Sequence, residues 1–160
     1  MSRIVRRALV LAGLAVAAAP VAGSAQTGAP ASYRPGLGDL MTMTVQPRHT
    51  KLGLAGQARN WPYAAYELHE LEESFERTAR GWPQWRSVPI AEMIGSLTKA
   101  PMTELADAIK AADAGRFASA YRGLTEACNA CHKAAGQGVI VIQPPQASPF
   151  PDQDFRPAPP

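Results

Sequence analysis

The chain has 160 residues, with 16 lysines and arginines against 13 acidic side chains, a size suited to one domain around one hydrophobic core. Three of those arginines and none of the acids fall within residues 1–25, so the rest of the chain balances at 13 against 13. A balanced body carries no electrostatic footprint for nucleic acid, and the basic surplus belongs to the leading segment.

Arg3, Arg6 and Arg7 precede the apolar run ALVLAGLAVAAAP (Ala8–Pro20), and Gly23 and Ala25 stand at −3 and −1 before Gln26. This pattern predicts a secretory signal peptide over residues 1–25, too short and wrongly flanked for a spanning helix. The expected location is periplasmic, with no membrane attachment after cleavage. Export puts Cys128 and Cys131, the only two cysteines, in an oxidising compartment where a free thiol pair does not persist without a purpose. Residues 26–36 (QTGAPASYRPG) read as a flexible lead-in.

From there the periodicity is helical. Leu37, Leu40, Met41, Thr44, Val45, Leu52 and Ala55 follow helical spacing over 37–59, with a kink or break expected near Gln46 because of Pro47. Asn60 is a good N-cap for a second helix running to about Arg80, with Pro62 in its first turn. Ala64, Ala65, Leu68, Leu71 and Phe75 would face inward and the acids of ELHELEESFE outward. Residues 89–114 read as two pieces hinged at Pro101, and Asp113-Ala-Gly115 turns the chain into a last helix over 116–135. Phe117, Tyr121, Leu124 and Cys128 share one stripe of that helix. Only VIVIQ (139–143) alternates like a strand. The expected fold is all-α: a four-helix bundle over 37–142, antiparallel and up-down-up-down, with a Pro-rich tail over 143–160 as a C-terminal strap. Phe150 and Phe155 favour an ordered strap, which would cover the site and exclude water from it.

The chemistry is concentrated in ACNACHKAAG (127–136). A thioredoxin-like redox pair would need a βαβ context that this chain lacks. A structural zinc site needs about four ligands, and beyond Cys128, Cys131 and His132 only His49 and His69 remain as histidines. Attachment of haem c needs only what is present: two thiols for the two vinyl groups of one porphyrin, followed by His132 as an axial ligand to iron.

A helical bundle with C-x-x-C-H near the end of its last helix resembles the cytochrome c′ and cytochrome b562-like superfamily. RHTKLGLAGQARNWPYAAYELHEL (48–71) and YRGLTEACNACHKA (121–134) also resemble a group of small bacterial c-type cytochromes within it. The likeness spans roughly residues 37–155, and its haem motif is its most specific part. In an up-down-up-down bundle the early turns of helix one lie level with the haem, and there stand Met41 and Met43. The resemblance to cytochrome b562 implies a thioether opposite His132. Met41 is the expected ligand because it shares a stripe with Leu37 and Thr44; Met43 is the substitute, and both could equally fill core. His49 is a rival ligand about two turns further on, roughly 12 Å along a straight helix. Arg122, or Lys133, could pair with haem propionates, and His69 reads as surface.

The function expected is a periplasmic monohaem c-type cytochrome, not an enzyme, that passes single electrons to redox partner proteins. The alternative is a five-coordinate, cytochrome c′-like protein that binds NO or CO. A peroxidase would need a distal His/Arg pair, for which Arg48–His49 is the one candidate. A homodimer through helices one and two suits this type of bundle, though no large apolar outer stripe demands it.

Overall fold

The computed structural model describes residues 33–159. The expected signal peptide over residues 1–25 and most of the expected lead-in therefore lie outside the described residues. No described helix is long and apolar enough to cross a membrane.

The described residues form four long helices. The first, α1, runs without interruption through Leu37–Leu40, a π-helical turn Met41–Val45 and Gln46–Gln57. It is followed by α2 (Trp61–Gly81), α3 (Ile90–Lys110) and α4 (Ala114–Ala134). Each helix packs on the next and α4 returns to α1, closing a helical bundle. Among the described residues the only extended pairing is an isolated bridge between Trp85 and Val88. VIVIQ forms no strand.

The caps follow from the sequence. Asn60 Oδ1 accepts from the Tyr63 amide at 3.3 Å, and Pro62 occupies the first turn, where its missing N–H costs nothing. Asp113 Oδ1 accepts from Gly115 and Arg116 at 2.9 and 3.0 Å. Helix α4 ends in a Schellman turn: Gly136 has φ +71°, its amide reaches the Lys133 carbonyl, and the Gln137 amide reaches that of His132 at 2.7 Å.

Both internal prolines lie inside continuous helix. No break occurs at Gln46. Instead the Gln46 amide bonds the Met41 carbonyl five residues back, and this wide turn relieves the clash that the Pro47 ring would make with the preceding turn. Pro101 lies within the single helix Ile90–Lys110 rather than at a hinge. One apolar face, with Ile94, Leu105, Ala108 and Ile109 buried, continues across it and holds both halves in register. Pro101 also meets Gly123 of α4, where a Cβ would lie 3.9 Å from the proline Cβ.

The inward face of α2 holds Ala64, Leu68, Leu71 and Phe75 as expected, but Ala65 is exposed. Glu67, expected outward with the other acids, is 1% exposed. The Arg48 guanidinium bridges its Oε2 at 3.2 Å and the Glu70 carboxylate at 3.0 Å, so the buried charge is paired across α1 and α2.

The α1–α4 contact depends on two glycines. A Cβ on Gly53 would lie 2.5 Å from Tyr121 Oη, and one on Gly56 would lie 2.0 Å from the Phe117 ring. The two aromatic rings of α4 occupy the groove that these glycines leave. Gly56→Ala should therefore destabilise the fold by about 2 kcal/mol, the usual cost of overpacking a core, read as a lowered denaturation midpoint with an unchanged slope.

The C-terminal segment runs along α1 and the start of α2. Gln57 Nε2 donates to the Pro145 carbonyl at 3.1 Å, and Asn60 Nδ2 donates to the carbonyls of Phe155 and Arg156. The Lys51 ammonium sits 4.7 Å from the Phe150 ring centre, and Phe155 is buried against Tyr63.

Candidate functional site

One apolar cavity of about 290 Å³ lies within the bundle, and it gathers most of the residues singled out from the sequence. Helix α4 contributes Cys128, Cys131 and His132; α1 contributes Leu37, Met41, Val45 and His49. Phe75 of α2, together with Ile90, Met93, Ile94 and Leu97 of α3, completes the walls. Ile140 and Ile142, just past α4, cover one side.

Helical geometry explains how α4 presents its motif. Cys128 and Cys131 are three residues apart and share a face, with His132 beside them one turn from Cys128. Both thiols are free. Burial, and then the neighbouring Cys131, pushes the Cys128 thiol up to about 11; burial also raises Cys131. Both are therefore protonated at neutral pH, unlike the thiolates of a metal site or a reactive redox pair. Among the described residues no three His, Cys, Asp or Glu side chains gather into a metal-holding group.

His132 is oriented by the chain that follows it. After the Gly136 turn, residues 137–142 fold back alongside α4. Asn129, between the two cysteines, clasps Ile142 from both ends: its Oδ1 accepts from the Ile142 amide at 2.7 Å and its Nδ2 donates to the Ile142 carbonyl at 2.8 Å. The returning Ile140 carbonyl then lies 3.0 Å from His132 Nδ1. A carbonyl only accepts, so Nδ1 carries the proton, and Nε2 is left with its lone pair available to a metal.

The π turn sets what α1 offers. Residues four apart drift around a regular α-helix, which has 3.6 residues per turn. The wider turn over Met41–Val45 takes up that drift and keeps Leu37, Met41, Val45 and His49 in one file along the cavity. Thr44, expected on Met41's stripe, drops off it and bonds the Leu40 carbonyl at 2.6 Å. Met43, the substitute ligand, is 74% exposed and outside the lining.

His49 is buried, with both ring nitrogens engaged: Nδ1 lies 3.0 Å from Tyr121 Oη and Nε2 lies 3.0 Å from Thr125 Oγ1. Burial holds it down to about 4. It is thus a neutral, hydrogen-bonded group in the cavity wall rather than an available ligand. Arg48 is turned away onto Glu67 and Glu70 and does not line the cavity.

Arg122 and Lys133 are exposed and outside the lining, so neither is brought to the cavity. His69 is on the surface, 3.5 Å from Glu73. The tail does not cover this site: no residue from 143 to 159 lines the cavity, and its cover is the 137–142 turn-back.

Met93, Asn129 and the Ile140 carbonyl were missed from the sequence. Met93, on the cavity face of α3, offers a second thioether. Asn129 and Ile140 act through a return of the chain whose one local signal is Gly136 after a helix-ending alanine pair.

Comparison of the chain with known protein families, with curated proteins and with solved structures gives no match.

Proposed function

We propose that this protein is a periplasmic monohaem c-type cytochrome, an antiparallel up-down-up-down bundle carrying covalent haem c in the cavity. The observation that carries the reading is the convergence on one apolar space of the Cys128 and Cys131 thiols, an imidazole whose Nε2 is freed by the Ile140 carbonyl, and the Met41 thioether from another helix. The apolar lining suits the faces of a porphyrin, and the donors fit its attachment at two thiols and its ligation at one nitrogen. Gly53 meeting Tyr121 while Gly56 meets Phe117 supports antiparallel α1 and α4, since one residue number rises as the other falls. The contacts of Pro145, Phe150 and Phe155 support a strap role for the tail along α1 and α2.

Haem, when bound, supplies a one-electron iron couple. The chain's part is to hold it at Cys128 and Cys131, orient His132, and exclude water with Ile140, Ile142 and the apolar side chains of α3. The peroxidase reading lacks its distal arginine, because Arg48 is engaged by Glu67 and Glu70. Electron transfer to partner proteins is the function that remains best supported.

Optical spectra of the oxidised and reduced holoprotein, with and without CO, test this reading. A Met41 ligand gives sharp low-spin bands unchanged by CO, and Met41→Ala converts them to high spin. A Met41→Ala protein that stays low-spin moves the ligand to Met93. High-spin bands in the parent that shift with CO replace electron transfer by NO or CO binding at a five-coordinate iron, a reading favoured by the apolar Leu37, Val45 and Leu97 in the walls.

A further inference from the structure

The chain that returns along α4 has one edge held and one edge open. A single side-chain amide, that of Asn129, bonds both the N–H and the C=O of Ile142, and an extended residue presents those two groups side by side. The Ile140 carbonyl meets His132 on the same edge. Strand alternation then turns the amides and carbonyls of Val139, Val141 and Gln143 to the opposite edge, away from α4. Among the described residues no hydrogen bond reaches any of those groups.

The side chains alternate as well. Ile140 and Ile142 line the cavity, whereas Val139 is 91% and Val141 69% exposed. Monomeric proteins guard an open edge with charge or proline, because an unguarded one pairs with another strand. Residues 139–143 (VIVIQ) carry neither, and four of the five are β-branched strand formers. Pro144 and Pro145 then end the run.

We propose that residues 139–143 pair with the same segment of a second copy of this chain, as a two-stranded antiparallel ribbon about a two-fold axis. The segment is its own complement. With Val141 opposite Val141 of the partner subunit, Val139 falls opposite Gln143 of the partner subunit, and each opposed pair exchanges two hydrogen bonds. All the open groups are then used, and the proline pair lies just beyond the last of them. Growth stops at two copies, because the other edge of each strand is taken by Asn129 and His132. The interface is thus the 139–143 edge rather than helices one and two, and the proposal stands apart from the haem reading.

Sedimentation equilibrium of the purified protein between about 1 μM and about 1 mM tests it. The mass should climb from one chain toward two and no further. Val141→Lys and Val141→Glu each set like charges directly opposite one another, so each protein alone should stay at one chain across the range. Val141 is exposed, so the separate chain tolerates either charge. An equal mixture of the two variants places opposite charges across the axis and should restore the dimer, which an unfolded variant could not do. A parent that stays at one chain throughout leaves the edge to another protein's strand or to water, and overturns the proposal. Dimers undiminished in Val141→Lys alone overturn the interface, and a mixture that stays monomeric overturns the two-fold register.

Discussion

Arg48→Met should destabilise the protein by about 3 kcal/mol, because removing one partner of a buried ion pair strands the other. The stranded group is Glu67, whose side chain is 1% exposed. A carboxylate so placed has lost its cation and is held away from water, and its one-sided loss costs more than the pair ever contributes. Glu67→Gln in the Arg48→Met background should recover part of the loss at neutral pH. Urea unfolding of the parent and the two variants at neutral pH measures both effects.

The second large effect belongs to His49. Burial depresses its folded-state value from 6.5 to about 4. The neutral form is thus the one that the fold favours, and its contribution is complete above pH 6.5. Below that the unfolded chain takes up a proton that the folded chain refuses, and stability is lost as pH falls toward 4. The displacement of about 2.5 units corresponds to about 3 kcal/mol. This part of the acid destabilisation should disappear in His49→Gln. A parent whose stability is flat between pH 6.5 and pH 4 would contradict the depressed value.

The two effects come from neighbouring residues that the fold treats differently. Arg48 turns to α2 and keeps its charge by pairing it; His49 turns to α4 and is kept neutral by burial, hydrogen-bonded to Tyr121 and Thr125. Together they fix the rotation of α1, and with it the side of Met41 and Val45 that faces the cavity.

Local signals in the sequence carried much of the fold. Asn60 before Trp-Pro and Asp113 before Ala-Gly marked helix starts within a residue or two, because a cap is a short-range hydrogen bond. The cavity's thiols and imidazole were equally readable, since C-x-x-C-H on a helix fixes a shared face whatever surrounds it. What escaped depended on partners distant in the chain. Glu67 lies among acids that do face water, and only Arg48 nineteen residues earlier explains its burial. Gly53 and Gly56 matter because Tyr121 and Phe117 arrive from α4. The prolines show the same limit: a local rule predicts a kink or break at Pro47 and a hinge at Pro101, while a π turn at one site and a continuous packed face at the other keep each helix whole. Arg122 lies near the motif in sequence but on the exposed side of its helix.

Covalent attachment of haem at Cys128 and Cys131 is tested directly by one measurement. The chain, with its leading segment, is produced in a bacterium able to attach haem to protein thiols, purified, fully unfolded and extracted with acidified organic solvent. Its absorption and intact mass are then recorded. The expected result is haem that stays with the unfolded chain, adds one haem to its mass, and is lost from the Cys128→Ala/Cys131→Ala double variant. A chain of bare polypeptide mass, with any haem released into the solvent, would contradict it.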